Sequence, residues 1–147
     1  MKARELQIGD LLYYKGKFNA FPFKVESITK KKVGYYAEPN DHRMYYLRLS
    51  DCEPIPLTPE ILENNGFKEG YSYILTADGY KKLPQYKYKN MTQVQDICRN
   101  FITISYSDLE GGVYDIQCGM DSHIYDLKYV HQLQHALRLC GIKKEIV

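Results

Sequence analysis

His131 and His135 stand four residues apart on an amphipathic stretch, Tyr129 to Cys140, closed by Gly141, which places both imidazoles on one face of a helix. That spacing can hold zinc, and a Glu directly after the first histidine would make it a metallopeptidase centre. Gln132 occupies that place and cannot take a proton as a general base. A third ligand would have to be His123, Asp126 or Cys140, and no spacing selects one. The expectation is therefore a helix without metal. Val130, Leu133, Leu137 and Cys140 form its buried stripe, and the imidazoles flank that stripe, bonded to backbone or solvent.

The other reactive groups are weaker still. A thiolate at Cys140 would face the partial negative charge of a helix C-terminus, so an apolar seam position is expected there. Asp108, Glu110 and Asp115 surround a hairpin turn and read as turn and solubility residues. Glu110-Gly111-Gly112 joins two strands with no helix start behind it, which excludes a phosphate loop. No catalytic residue and no cofactor is expected, and the chain reads as a non-enzyme. A metal-dependent enzyme using His131 and His135 stands as one alternative.

Charge and aromatic rings concentrate elsewhere. Residues 1–50 hold ten Lys and Arg against five Asp and Glu, whereas the whole chain is only +2. If Phe23 and Val25, Val33, Tyr35 and Ala37, and Tyr45, Leu47 and Leu49 point inward along their strands, then Lys24, Tyr36, Tyr46 and Arg48 point outward. Lys30, Lys31 and Lys32 form the adjoining turn. Cations interleaved with exposed rings suit RNA or single-stranded DNA, with charge on phosphate and stacking on bases. Tyr86-Lys87-Tyr88-Lys89 repeats the pairing and reads as an exposed loop.

These residues sit on elements that the sequence also outlines. Fifteen tyrosines and no tryptophan favour half-buried strands. Strands are expected at Leu11–Tyr14, Phe21–Ile28, Val33–Ala37 and Arg43–Leu49, spaced as in a small SH3-like β-barrel over residues 1–54. Pro54 and Pro56 mark a boundary. A second, α+β unit over 56–147 begins with a short helix capped by Thr58, entered by Pro59 and stopped at Asn65-Gly66. Tyr71–Leu75, Tyr80–Leu83, Phe101–Tyr106, Val113–Cys118 and His123–Leu127 follow as strands of an antiparallel sheet. Residues 85–100 read either as a helix capped by Thr92 or as an irregular strand, and the amphipathic helix ends the unit. Four cysteines without a C-x-x-C pair read as reduced thiols in a cytoplasmic protein, and no apolar run approaches the ~20 residues of a membrane span.

Pro54-Ile55-Pro56-Leu57-Thr58-Pro59-Glu60-Ile61-Leu62, Asn65-Gly66-Phe67 and Tyr129-Val130-His131-Gln132-Leu133-Gln134 together resemble a group of uncharacterised proteins of Bacteroides-type gut bacteria and their prophages. The resemblance covers the last two-thirds of the chain. It implies a bacterial or prophage protein of the cytoplasm and carries no activity or site residues. The first functional expectation is a non-enzymatic binding module that engages another protein through the tyrosine-rich face. The second is nucleic-acid binding through Lys24, Lys30, Lys31, Lys32, Tyr36, Tyr46 and Arg48.

Overall fold

The computed structural model describes residues 1–89, 101–107, 113–118, 122–142 and 144–147. The chain is α+β, with antiparallel strands and, among the described residues, two α-helices and two short 3-10 turns at Ala3–Glu5 and Leu49–Asp51. It divides into two units. The first holds Met1–Pro56, Tyr129–His135 and Ile146; the second holds Leu57–Lys128, Ala136–Glu145 and Val147.

Unit 1 contains β1 (Leu11–Lys15), β2 (Ala20–Lys24), β3 (Ser27–Ile28), β4 (Lys32–Tyr36), β5 (Met44–Arg48) and β6 (Cys52–Pro54). They make two three-stranded sheets, ordered β2-β1-β6 and β3-β4-β5. The expected SH3-like barrel does not close, because no ladder joins one sheet to the other. The expected strand Phe21–Ile28 is two strands in different sheets. Val25 sits at the break, its N–H donating 2.8 Å to the Asp10 carbonyl and its carbonyl accepting from Gly9 at 2.6 Å. These bonds carry the β1–β2 pairing one residue past Lys24 with a shift at Gly9, and Glu26 then donates to the Gly34 carbonyl at 2.8 Å and so enters the second sheet.

The core of unit 1 follows the alternation of its strands. Leu6, Leu12, Phe23, Val25, Val33 and Cys52 are buried, with Tyr14, Phe21, Ile28, Tyr35, Leu47 and Leu49 packed against them. Phe23 and Phe21 of one sheet meet Tyr35 of the other at ring-centroid distances of 5.3 and 5.6 Å. Burial pushes the Tyr35 hydroxyl above its ordinary pKa, and the nearby Tyr45 and Tyr14 add to that. Tyr45, expected inward, lies at the rim, its ring 5.8 Å from Tyr35 and under the Arg43 guanidinium. Ala37, also expected inward, is exposed beyond the end of β4.

Unit 2 opens with α1 (Pro59–Asn64), where Thr58 Oγ1 accepts the Ile61 N–H at 3.3 Å as an N-cap. Gly66 follows at φ +80°, a conformation that side chains disfavour, and turns Phe67 back so that its N–H reaches the Leu62 carbonyl at 3.0 Å. Leu62 and Phe67 are both fully buried. Next come β7 (Lys68–Thr76), β8 (Gly79–Lys89), β9 (Phe101–Ser107), β10 (Val113–Cys118) and β11 (Ser122–Leu127), a five-stranded antiparallel meander in the order β11-β10-β9-β8-β7.

β8 is longer than the expected Tyr80–Leu83 and includes Tyr86–Lys89, so the supposed loop is strand. Pro84 lies within it, opposite Tyr71, just before the ladder to β9 begins at Gln85. Its missing N–H therefore costs no inter-strand bond to β9 there. The expected turn at Asp108–Gly112 and the alternatives for residues 90–100 lie outside the described residues.

The last helix is α2 (Val130–Leu139), of which Val130–His135 is counted with unit 1 and Ala136–Leu139 with unit 2. Val130, Leu133 and Leu137 are buried as the spacing requires, and Ala136 joins them. Among the described residues no helix is long and apolar enough to cross a membrane. Truncating Phe67 to Ala should cost roughly 3–5 kcal/mol of stability. Gly66→Ala should cost about 1–2 kcal/mol, since alanine must then hold a left-handed backbone. Denaturant unfolding of both variants checks this, and near-wild-type midpoints would contradict the packing described.

Candidate functional site

Two groupings of polar side chains in unit 1 carry chemistry, one buried and one exposed. The buried one centres on Asp10, which is fully inaccessible to solvent. The preceding Gly9 adopts φ +89°, which lets the chain fold back so that Asp10 Oδ2 accepts the Gln7 N–H at 2.7 Å. His135 Nε2 lies 2.9 Å from both carboxylate oxygens. Beside it, the buried Gln134 amide donates to the Gly9 carbonyl at 3.2 Å and accepts from the Leu11 N–H at 3.1 Å. A desolvated carboxylate requires such partners, because an unpaired one would be far too costly to bury.

His131 completes this grouping without joining its hydrogen bonds. It is buried, stacked on Tyr129 at 5.8 Å and edge-on to His135 at 5.7 Å. Its Nδ1 has no hydrogen-bond partner among the described residues. Burial pushes the imidazole below its ordinary pKa of 6.5; His135 pushes the same way, while Asp10 and Glu5 pull against it. The expectation that both rings bond to backbone or solvent is thus corrected: one is tied to a buried acid, and the other is a desolvated neutral ring. Among the described residues no three His, Cys, Asp or Glu side chains are grouped to hold a metal.

The expectation of reduced thiols also changes. Cys52 is a free, buried thiol, pushed up to about 11 by burial and by Asp51, and its Sγ donates to the Arg48 carbonyl at 3.3 Å. Cys140 is disulfide-bonded. Of the carboxylates expected near a hairpin, Asp115 accepts the Asp126 N–H at 3.2 Å, a structural bond beside a break in the β10–β11 register. Asp108 and Glu110 lie outside the described residues.

The exposed grouping lies on β4 and β5. Their register sets Lys32 opposite Arg48, Gly34 opposite Tyr46, and Tyr36 opposite Met44. Alternation puts these six on one face, with Val33, Tyr35, Tyr45 and Leu47 on the other. Tyr36 and Tyr46 are exposed, at 42% and 56%. Lys30 and Lys31 occupy the tip of the β3–β4 turn. Thr29 holds that turn: its N–H and its hydroxyl donate to the Lys32 carbonyl at 2.8 and 2.9 Å, and Oγ1 accepts the Lys32 N–H at 3.0 Å. Lys30, Lys31, Lys32 and Arg48, with Met1, Leu49 and Ser50, line one open concavity of about 490 Å³.

Six of the seven residues expected at a binding surface therefore belong to the β3-β4-β5 sheet or its connecting turn. Lys24 is the exception. It is exposed, but β2 belongs to the other sheet, where Lys24 pairs with Leu11. The Asp10–His135 pair was missed because 125 residues separate its members; a lone Asp after Gly9 gives no local signal of a distant histidine. No protein-family model matches the chain, and no curated protein or solved structure matches it.

Two outcomes follow from the buried grouping. Asp10→Ala leaves the Gln7 N–H and His135 without their acceptor and should cost about 3 kcal/mol or more, measured by denaturant unfolding. A unit or more above pH 6.5 His131 is neutral in both folded and unfolded chains and adds no pH dependence. Below that, the unfolded chain binds the proton first, and stability falls as pH drops towards the lower folded value. His131→Phe should flatten this slope in melting experiments between about pH 7 and 5; an unchanged slope would show that His131 does not carry it.

Proposed function

We propose that the chain is a non-enzymatic binding module that takes RNA or single-stranded DNA on the outer face of β4 and β5. One observation carries this reading. Four cations line one concavity with no carboxylate among its lining residues, and two exposed tyrosines continue the same sheet face. Phosphates answer the charge, and unstacked bases answer the rings.

The Lys32–Arg48 rung supports it independently. Like charges directly opposite on a strand pair are destabilising, so folding alone gives no reason to place them there. A bound polyanion would turn that repulsion into attraction. Protein binding, the first expectation from sequence, fits this face less well. Lysine is depleted from the desolvated centres of protein interfaces, whereas here it surrounds the cavity.

Single-stranded oligonucleotide should bind the full chain at low salt, with log affinity falling as log salt rises by a slope of about −0.7 for each phosphate neutralised. Tyr46→Ala should cost about 1–3 kcal/mol of binding. Lys32→Glu should abolish binding and yet raise stability by roughly 0.2–1 kcal/mol, because it pairs with Arg48 across the strands. Fluorescence anisotropy and thermal melting read these effects. No binding of any single strand at low salt would remove the proposal.

A further inference from the structure

We infer that the concavity of Lys30, Lys31, Lys32 and Arg48 receives a terminal phosphate of the strand rather than an internal phosphodiester. The inference rests on the nucleic-acid reading and names the part of the ligand that this cavity selects.

Charge matching is the first ground. An internal phosphodiester carries one negative charge, whereas a phosphate monoester carries about −1.5 to −2 at neutral pH and offers three strong acceptor oxygens. Four cationic side chains line this single concavity. That is an excess over what one phosphodiester needs, and it suits a doubly charged end. Arg48 adds a planar fork able to grip two phosphate oxygens at once, while the lysines act as point charges.

The layout of the sheet is the second ground. The Lys32–Arg48 rung is the last of the β4–β5 ladder, and beyond it the Leu49 N–H reaches the Lys31 carbonyl at 2.9 Å. The tyrosines lie only in the other direction. Tyr46 is two residues from Arg48, or about 7 Å along the strand, and Tyr36 is four from Lys32, or about 13 Å. Cations thus gather at one end of the face and rings follow from there. A strand that ran through the cavity in both directions would meet rings on one side only, whereas a strand that begins there meets phosphate sites first and stacking sites next.

The test compares oligonucleotides of one sequence carrying a 5′-phosphate, a 3′-phosphate or only hydroxyl ends. They are titrated at low salt against the full chain and against Lys31→Ala, Arg48→Ala and Tyr46→Ala. One phosphorylated end should bind about tenfold tighter than the hydroxyl-ended strand, and which end does so gives the polarity of the bound strand. Lys31→Ala and Arg48→Ala should shrink that preference to about twofold or less, while Tyr46→Ala should weaken every strand and keep the preference. Equal affinity for phosphorylated and hydroxyl ends, with binding intact, would overturn the inference and leave the binding reading standing. Failure of every strand to bind would overturn both.

Discussion

A carboxylate with no access to water must be given hydrogen bonds or a cation, and unit 1 is organised around that demand at Asp10. The side chain takes the Gln7 N–H and faces His135 Nε2 with both oxygens. Its backbone matters as much, since the Asp10 carbonyl and the Gly9 N–H together bind Val25 on both sides. Val25 is where β2 stops and the chain leaves for a second sheet. The sheet that carries Lys32, Tyr36, Tyr46 and Arg48 therefore starts at a corner held by the same loop that bears the buried acid.

Charge is handled in opposite ways at the two groupings. At Asp10 a carboxyl group is buried and hydrogen-bonded, and burial pushes the neighbouring His131 below its ordinary pKa. On β4 and β5 charge is exposed and unmatched, with Lys32 and Arg48 set against each other across the ladder. Burial of an unpaired charge would be prohibitive, whereas solvent and salt screen the repulsion of an exposed pair to a fraction of a kcal/mol or so. The second arrangement is thus inexpensive to keep, and it leaves the cations available to an anion from outside. Deviations from local rules tend to gather at functional sites for this reason.

What the sequence discloses about this fold depends on how local the governing contact is. Val33, Tyr35 and Leu47 lie inward, and Tyr36, Tyr46 and Arg48 outward, because side-chain period is a property of the strand itself. α1 is equally readable, since Thr58, Pro59 and Gly66 act within one turn of where they stand. The division of Phe21–Ile28 between two sheets is not readable, because it depends on bonds to Gly9 and Asp10 on one side and to Gly34 on the other. Lys24 was grouped with the other cations for the same reason: alternation gives the face of a strand but not the sheet it joins. Pro84 marks the limit from the other side. A proline argues against a strand only where its N–H is needed, and register, which composition does not contain, decides that.

The face on β4 and β5 also has the mechanical character that binding requires. Its strands are short, yet Phe21, Phe23 and Tyr35 lock their inner side, and Thr29 holds the lysine-bearing turn with three hydrogen bonds. Side chains displayed on such a frame lose little backbone freedom when a ligand arrives, so more of the contact energy appears as affinity. Gly34 adds to this. With no side chain between Tyr46 and the floor of the sheet, the space at that rung is taken by Met44, whose sulfur would lie 2.8 Å from a Cβ placed at Gly34. The thioether is flexible and polarisable. It can give way beneath a group laid against that face, so the surface above Gly34 is less fixed than the strands that carry it.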